Sequence, residues 1–273
     1  MRAPRKIGAG LAVCVACVAT LPAAASAAKP TITMSGSTSM YPLVTQLAKG
    51  YLKAKPGSVR FRVLQGGSDI GINDVSRGRV TIGNASRDKL PNDPTGLQFT
   101  RIARDGVCVV TNPGNPIGNL SAEQVQAIFS GRVRSWSDVP GAKAKGAIDL
   151  VVRTASSGTQ DAFQNIFMGG AGGPRVASSA STRSSNGLVQ SAVRSNENAI
   201  GYVDFRFTAG TSPVSFKGVQ CNLRNAQGGT YGGVRNFWMV TRGAPTGATA
   251  TFINWARGAA GQKIVATNWV PLG

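Results

Sequence analysis

Apolar positions near the start of the chain alternate between two periods. Thr31-Ile32-Thr33-Met34 repeats every second residue, as a half-buried strand does, and runs into Ser35-Gly36-Ser37-Thr38-Ser39. From Tyr41 to Tyr51 the residues Leu43, Val44, Leu47, Ala48 and Tyr51 recur at helical spacing. Val59 to Leu64 predicts a second strand, followed by Gln65-Gly66-Gly67-Ser68-Asp69 and a helix over Ile70 to Ser76 that stops at Gly78. Val80 to Gly83 predicts a third strand, followed by Asn84-Ala85-Ser86-Arg87-Asp88. Each strand gives way to a loop of small hydroxyl-bearing residues, and two of the loops open helices. Repeated strand–helix order predicts an α/β sheet with its loops gathered at the carboxyl ends of the strands, where ligands bind.

The rest of the chain continues the pattern. Val107-Cys108-Val109-Val110 is apolar throughout and predicts a strand buried on both faces. Ser121 caps a helix with Glu123 and Gln124 in its first turn. Leu150-Val151-Val152 feeds Arg153, then Ser157-Gly158-Thr159, then a helical pattern. A helix start carries unpaired N–H donors and partial positive charge, and arginine adds a planar fork matched to phosphate-like oxygens. That segment suits a small oxyanion, and equally an ordinary capped helix with a surface arginine. Gly169 to Ser185 is rich in Gly, Ser and Ala and reads as a mobile loop. Asn186-Gly187 opens a helix, and Ala199 to Val203 and Phe237 to Val240 predict strands. A terminal helix covers Thr249 to Ala259, and Gly261 to Val265 continues the helical pattern.

The first residues change this picture. Arg2, Arg5 and Lys6 precede an apolar core from Ile7 to Leu21 and the small-residue site Ala25-Ser26-Ala27, which reads as a secretory signal peptide over residues 1–28. The protein is then exported, periplasmic or extracellular, and either free or associated with the cell surface. Cys14 and Cys17 leave with the signal, so Cys108 and Cys221 remain, as a disulfide or as two buried thiols. The net charge of +19 falls to +16 without the three signal cations. Such a balance favours anions, but the lysines and arginines are scattered and the aromatics sparse, so nucleic acid is not an expected partner. There is no histidine, which removes Ser-His-Asp and Cys-His catalysis and histidine metal sites together. No catalytic residues, metal ligands or cofactors are expected.

Taken in order, these loops resemble those of PstS-like phosphate-binding proteins, the solute-binding components of ABC uptake systems. The resemblance covers nearly all of the mature chain. It rests on Ser35-Gly36-Ser37-Thr38, Gly66-Gly67-Ser68, Ile82-Gly83-Asn84-Ala85-Ser86-Arg87, Arg104-Asp105-Gly106-Val107, Arg153 with Ser157-Gly158-Thr159, Ile200-Gly201-Tyr202-Val203 and Gly261-Gln262-Lys263-Ile264-Val265. It implies a type II periplasmic-binding-protein fold of two lobes with the ligand cleft between them. With crossings at Arg104–Thr111 and Arg235–Thr241, lobe 1 is 29–106 plus 241–273 and lobe 2 is 107–240. By the family's motifs the phosphate-binding residues are Ser37, Thr38 and Ser39 on the first loop, Ser68 and Asp69 on the second, Ser86 and Arg87 on the third, and Arg153, Ser157, Gly158 and Thr159 on the fourth. A better-studied branch has an aspartate on the third loop that accepts a hydrogen bond from protonated phosphate. Here Arg87 stands there, leaving Asp69 or Asp88 as the acceptor and Arg87 open to an ion pair with Asp88 or Asp93. The implied function is capture of inorganic phosphate by lobe closure and delivery to a membrane permease, by a monomer that is not an enzyme. Alternatives are a binder of sulfate or another tetrahedral oxyanion, and a basic polyanion-binding surface protein.

Overall fold

Helical periodicity and strand alternation in the first third of the chain become a compact strand–helix repeat. The computed structural model describes residues 28–273 together with Met1 and Ala3, and the signal segment with Cys14 and Cys17 lies outside the described residues. In chain order the elements of lobe 1 are β1 (Thr31–Gly36), α1 (Tyr41–Ala54), β2 (Arg60–Val63), α2 (Ser68–Ser76) and β3 (Ile82–Ala85). Strand β1 lies between β2 and β3, parallel to both, so the three following loops open on one edge of the sheet. Helix α1 turns Leu43, Val44, Leu47, Ala48 and Tyr51 inward, the set its periodicity predicts. The third strand starts two residues later than expected, at Ile82.

β4 (Leu97–Thr111) runs through both lobes. Lobe 2 then contains β5 (Asn119–Leu120), α3 (Ala122–Phe129), β6 (Asp149–Arg153), α4 (Gly158–Ile166), β7 (Ser181–Arg183), α5 (Asn186–Arg194), β8 (Ala199–Asp204), β9 (Ser212–Pro213), β10 (Ser215–Phe216) and α6 (Leu223–Gln227). The chain ends with β11 (Val234–Arg242), α7 (Gly247–Arg257) and α8 (Ala259–Ala266). Strand order is β2-β1-β3-β11-β4-β8-β6-β7, with β9 beside β4. Leu97 to Gly106 of β4 pair with β11, whereas Val107 to Thr111 pair with β8, so one strand belongs to two sheets. Each lobe has its own core, around Leu47, Phe237 and Phe252 in the first and around Phe129, Trp136, Phe163 and Tyr202 in the second.

Two expectations change. The return crossing placed at Arg235–Thr241 is a lobe 1 strand: β11 pairs with β4 from Val234 opposite Gly106 to Arg242 opposite Leu97, and with β3 as well. By strand pairing residues 234–240 belong with lobe 1, because the apolar side chains Phe237 and Met239 are buried in its core. The segment read as a mobile loop is pinned. Gln164 Nε2 donates to the carbonyls of Gly170 (2.9 Å) and Pro174 (3.1 Å), and Ala177 N donates to Phe129 O at 2.8 Å.

Cys108 and Cys221 form a disulfide, with Cα atoms 5.6 Å apart and a sequence separation of 113. The bridge ties the start of lobe 2 to its last segment before β11. A loop of that length makes cross-linking worth about 4–5 kcal/mol on chain entropy. Replacing both cysteines with alanine is expected to lower the melting temperature by about 10 °C. Calorimetric scans of both proteins check this; equal midpoints would mean the bridge adds nothing to stability.

Candidate functional site

Four helices begin at the same place. Ser39 precedes α1, Ser68 opens α2, Thr159 lies in the first turn of α4 and Asn186 opens α5, and their side chains are all buried. Sequence dictates the convergence: β1, β2 and β3 of lobe 1 and β6 and β7 of lobe 2 run toward the seam from opposite sides, and each releases the chain into a polar loop. A helix start presents donors without intrahelical partners and a positive dipole end, so four of them favour negative charge between them.

The hydroxyls form a connected set across the lobes. Ser37 Oγ donates to Ser86 Oγ at 2.8 Å, Ser68 Oγ and Ser86 Oγ are 3.2 Å apart, and Ser86 N donates to Ser68 Oγ at 3.0 Å. Asn186 Nδ2 of lobe 2 donates to Thr38 Oγ1 (3.2 Å) and Ser39 Oγ (2.8 Å) of lobe 1. Ser39 Oγ also accepts from Arg235 Nη2 at 2.7 Å. With two donors filling its lone pairs, Ser39 has its own hydrogen left for Thr159 Oγ1, 3.1 Å away, or for the buried Asp204 carboxyl. Thr159 Oγ1 in turn accepts from Arg235 Nη1 at 2.9 Å, so its hydrogen points toward the centre of the cluster. The arginine and the amide, which only donate here, thus fill the lone pairs of these hydroxyls and leave the Thr159 hydrogen for an anion.

Two guanidinium groups stand behind these hydroxyls. Arg153, at the end of β6, is 2% exposed; its Nε and Nη2 donate to the carbonyls of Arg183 (3.2 Å) and Ser184 (2.9 Å), and Nη1 faces Thr159 Oγ1 at 3.4 Å. Burial pulls its pKa down to about 10, with Arg235 acting the same way and Tyr202 and Asp204 opposing. The group stays protonated, but its charge is only partly balanced by the protein. Arg235, on β11, also donates to Asp105 Oδ2 at 3.0 Å and has Asp204 Oδ2 at 3.9 Å. Both carboxylates are fully buried, and burial pushes both pKa values upward, with the Asp105–Asp204 repulsion adding to the rise at Asp105. Two acids flanking one base in a dry site share the cost of ionisation, so one tends to hold a proton and leaves the cluster positive. Tyr202 anchors the floor: its hydroxyl accepts from Arg153 N at 3.1 Å and donates to Gln160 Oε1, while its ring stacks on Phe163 at 3.9 Å between centroids.

Of the residues expected from sequence, the structure brings Ser37, Thr38, Ser39, Ser68, Ser86, Arg153, Gly158 and Thr159 together. Ser157 adjoins them, but its hydroxyl is used as the N-cap of α4, accepting from Thr159 N at 3.1 Å. Asp69 and Arg87 fall outside the cluster. Four hydrogen bonds hold the Arg87 guanidinium, to Asp69 at 2.9 Å, Asp93 at 2.7 and 2.8 Å, and the Asp88 carbonyl at 2.9 Å, and its Nη2 also lies 2.8 Å from Asp69 Oδ1. A guanidinium so committed has no donor to offer an anion. Burial alone would lower its pKa, but Asp93 and Asp69 overcome that and hold it raised. Asp88, the other acceptor considered, faces away and takes the Asn236 amide and Trp238 indole N–H, both at 2.9 Å.

Arg235, Asn186, Asp105 and Asp204 were missed. A signal existed for two of them: Arg235 stands at the head of the strand whose run Phe237–Val240 is apolar, and Asp105 lies in the other crossing, so a base and an acid entering buried strands each required a partner. Asn186 gave no such signal, since a helix start accounts for it.

Glycines set how closely the lobes meet. A Cβ on Gly158 would lie 2.3 Å from Ser68 Oγ, 2.8 Å from Ser86 Oγ and 2.9 Å from the Ser86 carbonyl carbon. A Cβ on Gly67, whose φ is +113°, would lie 2.8 Å from Ser156 O. Gly158→Ala is expected to weaken anion binding about 10–100-fold while leaving the melting point of the free protein unchanged or higher, because alanine suits a helix but holds the lobes apart. Calorimetric titration beside a thermal melt checks this; undiminished affinity would show that closure is not as tight as the geometry requires.

A two-lobed α/β fold with an anion-suited seam defines a solute-binding protein. A family model described as a PBP superfamily domain matches residues 21–258, and the chain belongs to that family. It is 28% identical to the phosphate-binding protein PstS of Bacillus subtilis over 246 residues, covering 88% of this chain and 80% of that one. Among solved structures it is similar to a phosphate ABC transporter substrate-binding protein with bound phosphate from Clostridium perfringens (TM-score 0.82, 30% identity, 89% of this chain and 100% of that one). It is also similar to an ABC-type phosphate transport receptor from Vibrio cholerae (TM-score 0.71, 27% identity, 88% and 100%).

Proposed function

We propose that the chain is an extracytoplasmic solute-binding protein that captures inorganic phosphate by lobe closure and delivers it to an ABC permease. The observation that carries this reading is the convergence of four helix starts, six hydroxyls and two buried arginines from both lobes on one point. Dehydrating a multiply charged anion is costly, so a site that takes one needs many donors already aimed. Ser37, Thr38, Ser39, Ser68, Ser86, Arg153, Gly158 and Thr159 bind the anion, with Asn186 and Arg235 fixing the direction of their hydrogens. Only the closed form lets both lobes donate, so the ligand shifts the population toward closure. No bond is made or broken. The names of the relatives, the signal-like first segment and the disulfide support export and an uptake role.

A second reading is a sulfate or other tetrahedral oxyanion binder. It is favoured by the placement of Asp69 and Asp88, neither of which lies in the hydroxyl cluster to accept from a protonated phosphate. Parallel calorimetric titrations with phosphate and sulfate at pH 7.5 decide between them. The expected result is one phosphate per chain, bound at least about a hundredfold more tightly than sulfate, a difference of about 2.7 kcal/mol. Equal or reversed affinities would replace phosphate with the broader class.

A further inference from the structure

Beside the hydroxyl cluster, a second polar group spans the lobes. Its centre is Arg87, 6% exposed, in the segment after β3 of lobe 1. Asp93 grips it through two oxygens (2.7 and 2.8 Å), and Asp69, in the first turn of α2, contacts Nη2 at 2.8 Å. From the other lobe Asp161, in the first turn of α4, brings Oδ2 to 3.3 Å from Arg87 Nε. Next to these contacts Asp69 N donates to Ser156 O at 3.2 Å, so the cluster sits on the seam itself.

Taken singly, the Arg87–Asp161 distance describes an ion pair that would latch the lobes. The charge count says otherwise. Arg87 is already satisfied by Asp93 and Asp69, so Asp161 arrives as a third carboxylate on one cation. Like charges crowded at a half-buried site disfavour ionisation. The balance of groups facing Asp161 agrees: Asp69 from α2, and Arg87 and Asp93 from the segment after β3, with Lys89 beyond Asp93 and the neutral Tyr202 on β8. Asp88 is turned toward Asn236 and Trp238. Burial first, then Asp69, push the Asp161 carboxyl up to about 6 against the pull of Arg87, with Asp93 adding to the rise.

We propose that Asp161 is an affinity-setting residue: as a carboxylate it opposes closure of α4 onto the Asp69–Arg87–Asp93 lip, and so limits how tightly the anion is held. The proposal rests on the phosphate-capture reading above. In the open form Asp161 leaves the lip and regains an ordinary carboxylate pKa near ~4. The closed value is the higher one, so closing takes up a proton. The opposition is therefore complete above pH 6, declines as pH falls from 6 toward about 4, and is absent below that.

The experiment titrates inorganic phosphate into the wild-type protein, Asp161→Asn and Asp69→Asn at pH 7.5, 5.5 and 4.5, taking the ratio of dissociation constants to wild type at each pH so that the ligand's own protonation cancels. Asp161→Asn keeps the shape and removes the charge. It is expected to bind about tenfold more tightly than wild type at pH 7.5, less than the full shift implies because Asp161 is partly exposed. That ratio should fall below about threefold at pH 4.5. Asp69→Asn removes the strongest repelling neighbour and should move the onset of the pH dependence to lower pH, which a merely structural change would not do. Weaker binding by Asp161→Asn at pH 7.5 would make the contact a latch and overturn the proposal, as would a ratio that does not change with pH. Wild-type protein that binds no phosphate at any pH would instead reject the underlying function.

Discussion

Arg153→Ala is expected to lower the affinity for inorganic phosphate about a thousandfold and leave the fold intact. The guanidinium is buried at the end of β6, its charge is incompletely balanced, and burial pulls its pKa down to about 10. A phosphate oxygen would supply the missing negative partner in a setting with little water to screen it. Losing one member of such a desolvated charge pair costs about 3–5 kcal/mol, and about 1.4 kcal/mol corresponds to each factor of ten. The fold has less at stake. Apart from Thr159, the side chain donates only to the carbonyls of Arg183 and Ser184. Arg153→Lys keeps the charge but loses the fork, so an intermediate loss is expected. Titration with phosphate alongside a thermal melt separates the two effects. Affinity unchanged in Arg153→Ala would falsify the assignment of this residue to the anion.

Local features of the chain were legible because their causes are local. The inward face of α1 follows from spacing alone, and the strand-to-loop exchanges at Ser35, Gly66 and Arg153 follow from composition. The hydroxyls of the candidate site were found for the same reason, since each sits in a loop of recognisable type. β4 was read too short because Leu97 to Gly106 carries Gln98, Arg101, Arg104 and Asp105, and its strand character depends on β11, more than a hundred residues later. Arg87 could not be assigned from the sequence either. Its loop resembles a ligand-binding loop, while its fate is decided by Asp93, six residues on, and by Asp69 on another element.

The same distinction governs Arg235, for which substitution should damage both stability and binding. Arg235→Ala is expected to destabilise the protein by about 3–5 kcal/mol, because Asp105 is left without its base in a fully buried position, where it must take up a proton or stay charged and unpaired. Binding should fall too, since Thr159 loses the donor that turns its hydrogen toward the anion and Ser39 loses one of the donors that fix its orientation. The double variant Arg235→Ala with Asp105→Asn tells the two roles apart. Removing the stranded charge should recover a large part of the stability measured by urea denaturation, yet phosphate affinity should remain low, because neither substituted side chain can donate to both hydroxyls. Recovery of both quantities together would assign Arg235 a purely structural task, with the anion held by the remaining donors alone. Failure of Asp105→Asn to restore stability would instead place the main cost in the lost bridge between Ser39 of lobe 1 and Thr159 of lobe 2. That bridge makes Arg235 sensitive to closure: one guanidinium on a lobe 1 strand spans the seam, and its hydrogen bond to Thr159 exists only while the lobes meet.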